Sequence, residues 1–219
     1  MNSPKYNRTP HFPWSLGCTN DDKISDDLSL LINNEIVITE KMDGSNASLE
    51  LDGCFARTHS GPPSHASFDG LKALHASVKY KIPEGIQLFG EWCYALHSIS
   101  YASLPHYFLM FNVRDLKTNS WLSWEEVEMW AEEIGVPTVP VLFTGSVISI
   151  ENLKNLSDNF MNEPSLCNGL REGIVVRVRS EFSDKMFSKS IAKNVRKDHV
   201  QTTEHWKDQE IIKNKLNSL

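Results

Sequence analysis

Glu35-Ile36-Val37-Ile38-Thr39-Glu40-Lys41-Met42-Asp43-Gly44-Ser45-Asn46 is the stretch on which the fold turns. Glu35 to Thr39 is a β-branched run and predicts a strand. A lysine follows directly, then Asp-Gly and a polar pair. The glycine permits a tight bend and close approach of main chain, which leaves the Lys41 amine at the lip of a sheet. Downstream, Ala47–Leu51 and Cys54–Thr58 predict a hairpin turning at Asp52-Gly53, a dipeptide suited to the two-residue hairpin loop.

The pattern continues outward in both directions. Residues 1 to 25 are rich in Pro, Asn and Asp and read as an extended lead-in. Phe68, Leu71, Leu74 and Val78 recur at helical spacing within residues 67–80. Ile86–Trp92, Tyr107–Val113 and Gly173–Val178 are apolar strand candidates. Ser123 with Glu126 predicts a capping box opening a helix that Gly135 ends. Residues 149–161 predict a second helix, and the chain from Thr203 onward reads as helical. Strands outnumber helices without regular alternation, which points to α+β: two packed, mainly antiparallel sheets with flanking helices. The expected organisation is one domain over residues 1–200 and a short helical tail over 201–219.

Composition narrows the class. The chain has 219 residues, 40% hydrophobic and 23% charged, which suits one soluble domain. No apolar run approaches the ~18 residues of a membrane span, and Met1 to Trp14 carries no signal-peptide core, so an intracellular, cytoplasmic protein with no membrane partner is expected. Cys18, Cys54, Cys93 and Cys167 form no Cys-x-x-Cys pair and read as free thiols. Net charge is −6, yet residues 185–219 hold eight Lys/Arg against four Asp/Glu, a local basic surface able to meet phosphates.

A lone Lys-x-Asp-Gly is weak evidence, but an ordered series follows it. Arg57 ends a hairpin strand. Gly90-Glu91-Trp92 ends a later one, Phe111 lies in the next, Arg171-Glu172-Gly173 opens another, and Lys189 and Lys193 come last. This series, over about residues 35–197, resembles the motifs of the covalent nucleotidyltransferases: ATP-dependent DNA ligases, RNA ligases and capping guanylyltransferases. The lead-in Arg8-Thr9-Pro10-His11-Phe12-Pro13-Trp14 and the run from Ala192 to Thr202 are similar to an RNA ligase subgroup.

The resemblance implies an ATP-grasp-like nucleotidyltransferase domain and a set of roles. Lys41 would be the nucleophile that takes AMP from ATP. Glu91 would contact the ribose, and Glu172 would position Mg2+ or Mn2+, both carboxylates acting through water. Phe111 would stack on adenine, while main chain near Glu40 and Lys41 reads the base edge. Arg57 would meet a phosphate or ribose, Asn46 would organise metal water, and Lys193 would hold the α-phosphate. Relatives carry a second lysine two positions on; Val195 stands there, leaving Lys189, Arg196 or Lys197 to supply that charge. His11 and His59 are further phosphate candidates, and Trp206 a docking or base-stacking residue.

A free lysine amine is neutral in only about one molecule in 2,500 at pH 7. Nearby cations, desolvation or a metal must offset that. Only 26 residues follow Lys193, too few for the oligonucleotide-binding barrel of DNA ligases. RNA with 5′-phosphate and 3′-hydroxyl ends is therefore the expected substrate, and end-healing enzymes are the expected company. The competing readings are a small DNA ligase or capping guanylyltransferase, and a catalytically silent RNA-binding relative.

Overall fold

The computed structural model describes residues 4–58, 61–197 and 211–217. Among these residues ten strands and five α-helices follow one another, with three single-turn 3-10 helices between them. They run α1 (Ser29–Ile32), β1 (Glu35–Lys41), β2 (Ser45–Leu49), β3 (Cys54–Ala56), α2 (Asp69–Val78), β4 (Ile86–Trp92), β5 (Phe108–Asp115), β6 (Ser120–Trp121), α3 (Trp124–Ile134), β7 (Val141–Ser146), α4 (Ile150–Met161), β8 (Gly173–Val178), β9 (Phe182–Ser183), α5 (Phe187–Ser190) and β10 (Ile191–Val195). One sheet has the order β10-β8-β1-β7, the other β3-β2-β4-β5-β6-β9, and every pairing is antiparallel. The α+β expectation therefore holds.

The crossing between sheets is short. β1 belongs to the four-stranded sheet and β2 to the six-stranded one, and only Met42-Asp43-Gly44 separates them. Asp43 accepts hydrogen bonds from the Ser98 and Ile99 N–H groups at 2.8 Å each, and its own N–H donates to Tyr101 Oη at 2.8 Å. A Cβ at Gly44 would come within 2.8 Å of the Trp92 carbonyl oxygen, so only glycine fits this close approach. The Asp-Gly pair thus ties the crossing to the end of β4.

Two cores flank the sheets. Leu88, Trp92, Met110 and Val113 pack with Leu71 of α2 and Val127, Ala131 and Ile134 of α3. The Ser123 capping box is present and Gly135 adopts the left-handed conformation, so α3 begins and ends where its residues dictate. A second core joins Ile36, Ile38, Ile174, Val176 and Ala192 with Phe12, Leu31, Phe89 and Trp121. Phe111 packs against both.

The lead-in is extended but closely docked. Phe12 N–H donates to the Lys193 carbonyl at 2.8 Å, Lys193 N–H to the Pro10 carbonyl at 2.9 Å, and Gly17 N–H to the Val195 carbonyl at 2.9 Å. It thereby occupies the outer edge of β10, which would otherwise be an open template for pairing. Tyr6 lies edge-on to Phe89, Phe111, Trp121 and Phe187, with centroids 5.0–5.5 Å apart.

The expected helical tail falls mostly outside the described residues, residues 203–210 and Trp206 among them; residues 211–217 form no helix and carry isolated bridges. Buried Asn214 explains why. Its side chain donates to the Cys93 carbonyl and accepts from Tyr101 N–H, while Lys215 exchanges main-chain bonds with Tyr101 and Leu104. A helix would keep those main-chain groups for itself. No described helix is long and apolar enough to cross a membrane.

On the face of β1 away from β2's sheet, Glu40 (1% exposed) meets the fully buried Arg171 at 3.6 Å and accepts from Leu166 N–H at 3.0 Å. Arg171→Ala strands that carboxylate and should cost roughly 3–5 kcal/mol. Urea unfolding checks this, and an unchanged midpoint would remove the pair from any role in holding the strand ends.

Candidate active site

Between the two sheets lies a cleft of about 840 Å³. Strand alternation sets its walls, since successive side chains point to opposite faces. Thr39 and Lys41 of β1, Val175 and Arg177 of β8, and Ile191 and Lys193 of β10 line one wall. Asn46 of β2, Glu91 of β4 and Phe111 of β5 line the other. Register brings partners level: Asn46 lies opposite Glu91, and Val175 stands between Thr39 and Lys193.

Lys41 is the last residue of β1, and its Nζ donates to both Glu172 oxygens at 2.7 Å. Burial lowers the lysine's proton affinity, but Glu172, Glu91 and Asp43 outweigh it, and the ammonium stands above its ordinary pKa. Glu91 shows the opposite face of this balance. Burial drives its pKa up, Lys41 draws it down, and the charges of Glu172 and Asp43 push it up again, to about 8. Lys193 is lowered to about 8 by burial and by Lys41, against the pull of Asp22 and Glu172.

Most of the sequence-predicted residues gather here. Lys41, Asn46, Arg57, Glu91, Phe111, Glu172 and Lys193 all line the cleft. Glu40 borders it too, but its carboxylate is committed to Arg171 and Leu166, so any contact with a nucleotide falls to its main chain. Lys189 does not reach the cleft: it is exposed on α5 and pairs with Asp27 at 2.9 Å. The helical turn of α5 aims it outward, one turn before the strand that delivers Lys193. Arg196 and Lys197 do not line the cleft either, and Val195 is buried. Arg8, from the lead-in, borders the cleft beside His11 and Asp22, and donates to the Asp21 carbonyl at 2.7 Å. His59 lies outside the described residues.

Several lining residues escaped the sequence. Tyr6 lies in the lead-in, which reads as a tether because proline and asparagine hide its aromatic content. Arg177 looks like an exposed basic residue of a strand. It is instead buried between the walls, donating to Asn112 Oδ1 at 2.7 Å and to the carbonyls of Leu122 and Val178.

The carboxylates fit a hard divalent cation such as Mg2+ or Mn2+. Asn46 Oδ1 is buried without a hydrogen-bond partner, next to Glu91, whose charge the protein alone does not balance. Oxygen donors short of positive charge are what such ions take.

The RNA ligase family model matches residues 34–195. The chain belongs to the RNA ligase family. No curated protein matches it. Among solved structures, a Naegleria gruberi RNA ligase variant in its apo form is 15% identical with a TM-score of 0.57, covering 92% of this chain and 63% of that one. Another Naegleria gruberi variant, with ATP and Mn, gives 15% identity and 0.54 over 90% and 62%. An archaeal ATP-dependent RNA ligase gives 16% and 0.55 over 87% and 48%. This RNA ligase family member thus spans about three fifths of the Naegleria chains and about half of the archaeal one, and shares their fold.

Glu91 binds a proton in the native state between its unfolded pKa of 4.5 and about 8. Folding takes up that proton, so Glu91's contribution to stability falls as pH rises through this window. In chelator and without nucleotide, Glu91→Gln should raise the melting temperature more at pH 8.5 than at pH 5. Equal shifts at both would show that Glu91 ionises normally.

Proposed function

We propose that this RNA ligase family member seals RNA using ATP, with Lys41 as the site of covalent AMP attachment. One observation carries the reading: the Lys41 amine, at the end of a buried strand, is gripped by both Glu172 oxygens inside a cleft that Lys193 shares. A surface lysine has no reason to be held so. Similarity to ligases solved with ATP and Mn supports the cofactor assignment.

The chemistry follows from the groups present. Neutral Lys41 Nζ attacks the α-phosphorus of ATP; a P–N bond forms, and the bond to pyrophosphate breaks. An RNA 5′-phosphate oxygen then attacks the same phosphorus, returning the lysine and capping the RNA end with AMP. A 3′-hydroxyl attacks the capped phosphate, and AMP leaves. Phosphoryl transfer needs alignment and charge neutralisation above all. A divalent cation held by Glu172 and Glu91, near Asn46, would supply charge at the α-phosphate and compete with Lys41 for those carboxylates.

This chain's own residues do the rest. Lys193 sets a second positive charge near Lys41, whose ammonium helps lower the proton affinity of Lys193. Arg57 adds charge at the rim. Phe111 on one wall and Val175 on the other, both half-buried, would sandwich a base. Glu172 holds Lys41 oriented until nucleotide enters. RNA is the substrate that family membership supports, and end-healing enzymes would supply its ends.

Lys41→Ala should abolish the AMP adduct seen by intact mass after incubation with ATP and Mg2+, while wild type gains the mass of AMP. Sealing of nicked RNA but not nicked DNA completes the test; label from GTP in place of ATP would favour a capping activity. Wild type that never gains AMP would make the chain a silent relative. Phe111→Ala should weaken ATP use by about 1–3 kcal/mol, judged by base–aromatic stacking elsewhere. An unchanged concentration dependence would assign Phe111 to the core alone.

A further inference from the structure

Beside the cleft, the lead-in carries a donor set unlike the carboxylates of the catalytic centre. His11, Cys18 and Asp22 each place a ligand atom within 4.8 Å of the others, the one such group of three among the described residues. Tetrahedral ligands at ordinary metal distances lie about 3.3–3.8 Å apart, so small side-chain movements complete the arrangement. The His11 ring is 2% exposed, and its Nε2 faces Asp22 Oδ2 at 3.5 Å.

The other ring nitrogen has a hydrogen-bonding neighbour of its own. Nδ1 lies 2.8 Å from Ser15 Oγ, which accepts from Val195 N–H at 3.0 Å and points its own hydroxyl toward the Val195 carbonyl. One tautomer donates Nδ1–H to Ser15 and presents the Nε2 lone pair to the cluster. Across from it lies Asp22 Oδ2, which also accepts from Thr19 N–H at 3.1 Å and from Thr19 Oγ1 at 2.8 Å. A proton would serve two of the three groups. A metal ion serves all three, and a histidine whose second nitrogen donates to a neighbour is the usual form of a metal ligand.

We infer that His11, Cys18 and Asp22 form a binding site for a borderline transition ion of the Zn2+ class, separate from the catalytic metal. Thiolate and imidazole select such ions over Mg2+, which prefers oxygen. On binding, Cys18 releases its thiol proton to solvent and the sulfur bonds the metal. His11 and Asp22 border the cleft, so the remaining coordination position opens to water there. The ion would pin residues 11–22 to β10, and with it the main chain of Lys193, which His11 neighbours through a bridge. This inference does not depend on the ligase chemistry.

Untagged full-length protein, loaded with zinc and dialysed against metal-free buffer, should retain close to one zinc per chain by elemental mass spectrometry. Cobalt(II) in its place should give the strong near-ultraviolet absorption of a thiolate–cobalt bond. Cys18→Ser, at a half-buried position, should remove that absorption and weaken zinc at least about tenfold, with the metal-free melting curve unchanged; Asp22→Asn should weaken it similarly. Retention of no zinc, equal affinity in Cys18→Ser, or displacement of cobalt by millimolar Mg2+ would each overturn the site.

Discussion

The bidentate contact between Lys41 and Glu172 is the interaction around which the rest is arranged. It forms where β1 ends and the chain crosses between sheets, and it needs both events in register. Adjacent residues of β1 point to opposite faces, and each meets its counterpart from the run that leads into β8: Lys41 with Glu172 in the cleft, Glu40 with Arg171 behind it. Two successive strand residues are thus clamped by two successive partners on opposite faces. The backbone between them has little freedom to tilt the amine away.

That arrangement concentrates negative charge where a fold alone would not. Glu91, Glu172 and Asp43 all act on the same lysine, and burial, with the charges of Glu172 and Asp43, keeps Glu91 protonated near neutrality against the pull of Lys41. Asn46 adds a buried, unpartnered oxygen. Each of these is unfavourable to the empty protein and favourable to a cation or a polyphosphate complex that brings one. The site trades stability of the unliganded state for affinity toward its charged ligands.

Much of the fold was legible because local signals agreed with tertiary ones. The capped helix at Ser123 and the strand before Lys41 each carry their own chemistry in the sequence; the hairpin forms as well, but its turn falls on Leu51-Asp52, closed by Glu50 N–H to the Gly53 carbonyl, one position before the expected Asp52-Gly53. The ordered series from Lys41 to Lys193 located the cleft residues for the same reason: strand ends are marked by glycine and charge. What stayed hidden depends on distant partners. Nothing near Arg177 announces that Asn112 and Leu122 await it. The Asn214 segment forms no helix because a loop more than a hundred positions earlier needs its hydrogen bonds. Lys189 and Lys193 are equally basic in the sequence, and only the boundary between α5 and β10 sends one outward and the other in.

Ser15 and Val195 are 180 positions apart, yet share a buried hydrogen bond at the border of the cleft. A contact of such separation carries the loop-closure entropy of the chain between its ends. The wall that bears Lys193 is thus held by residues from early and late in the sequence. Without residues 10–17 the outer edge of β10, and Lys193 with it, would face solvent unpaired.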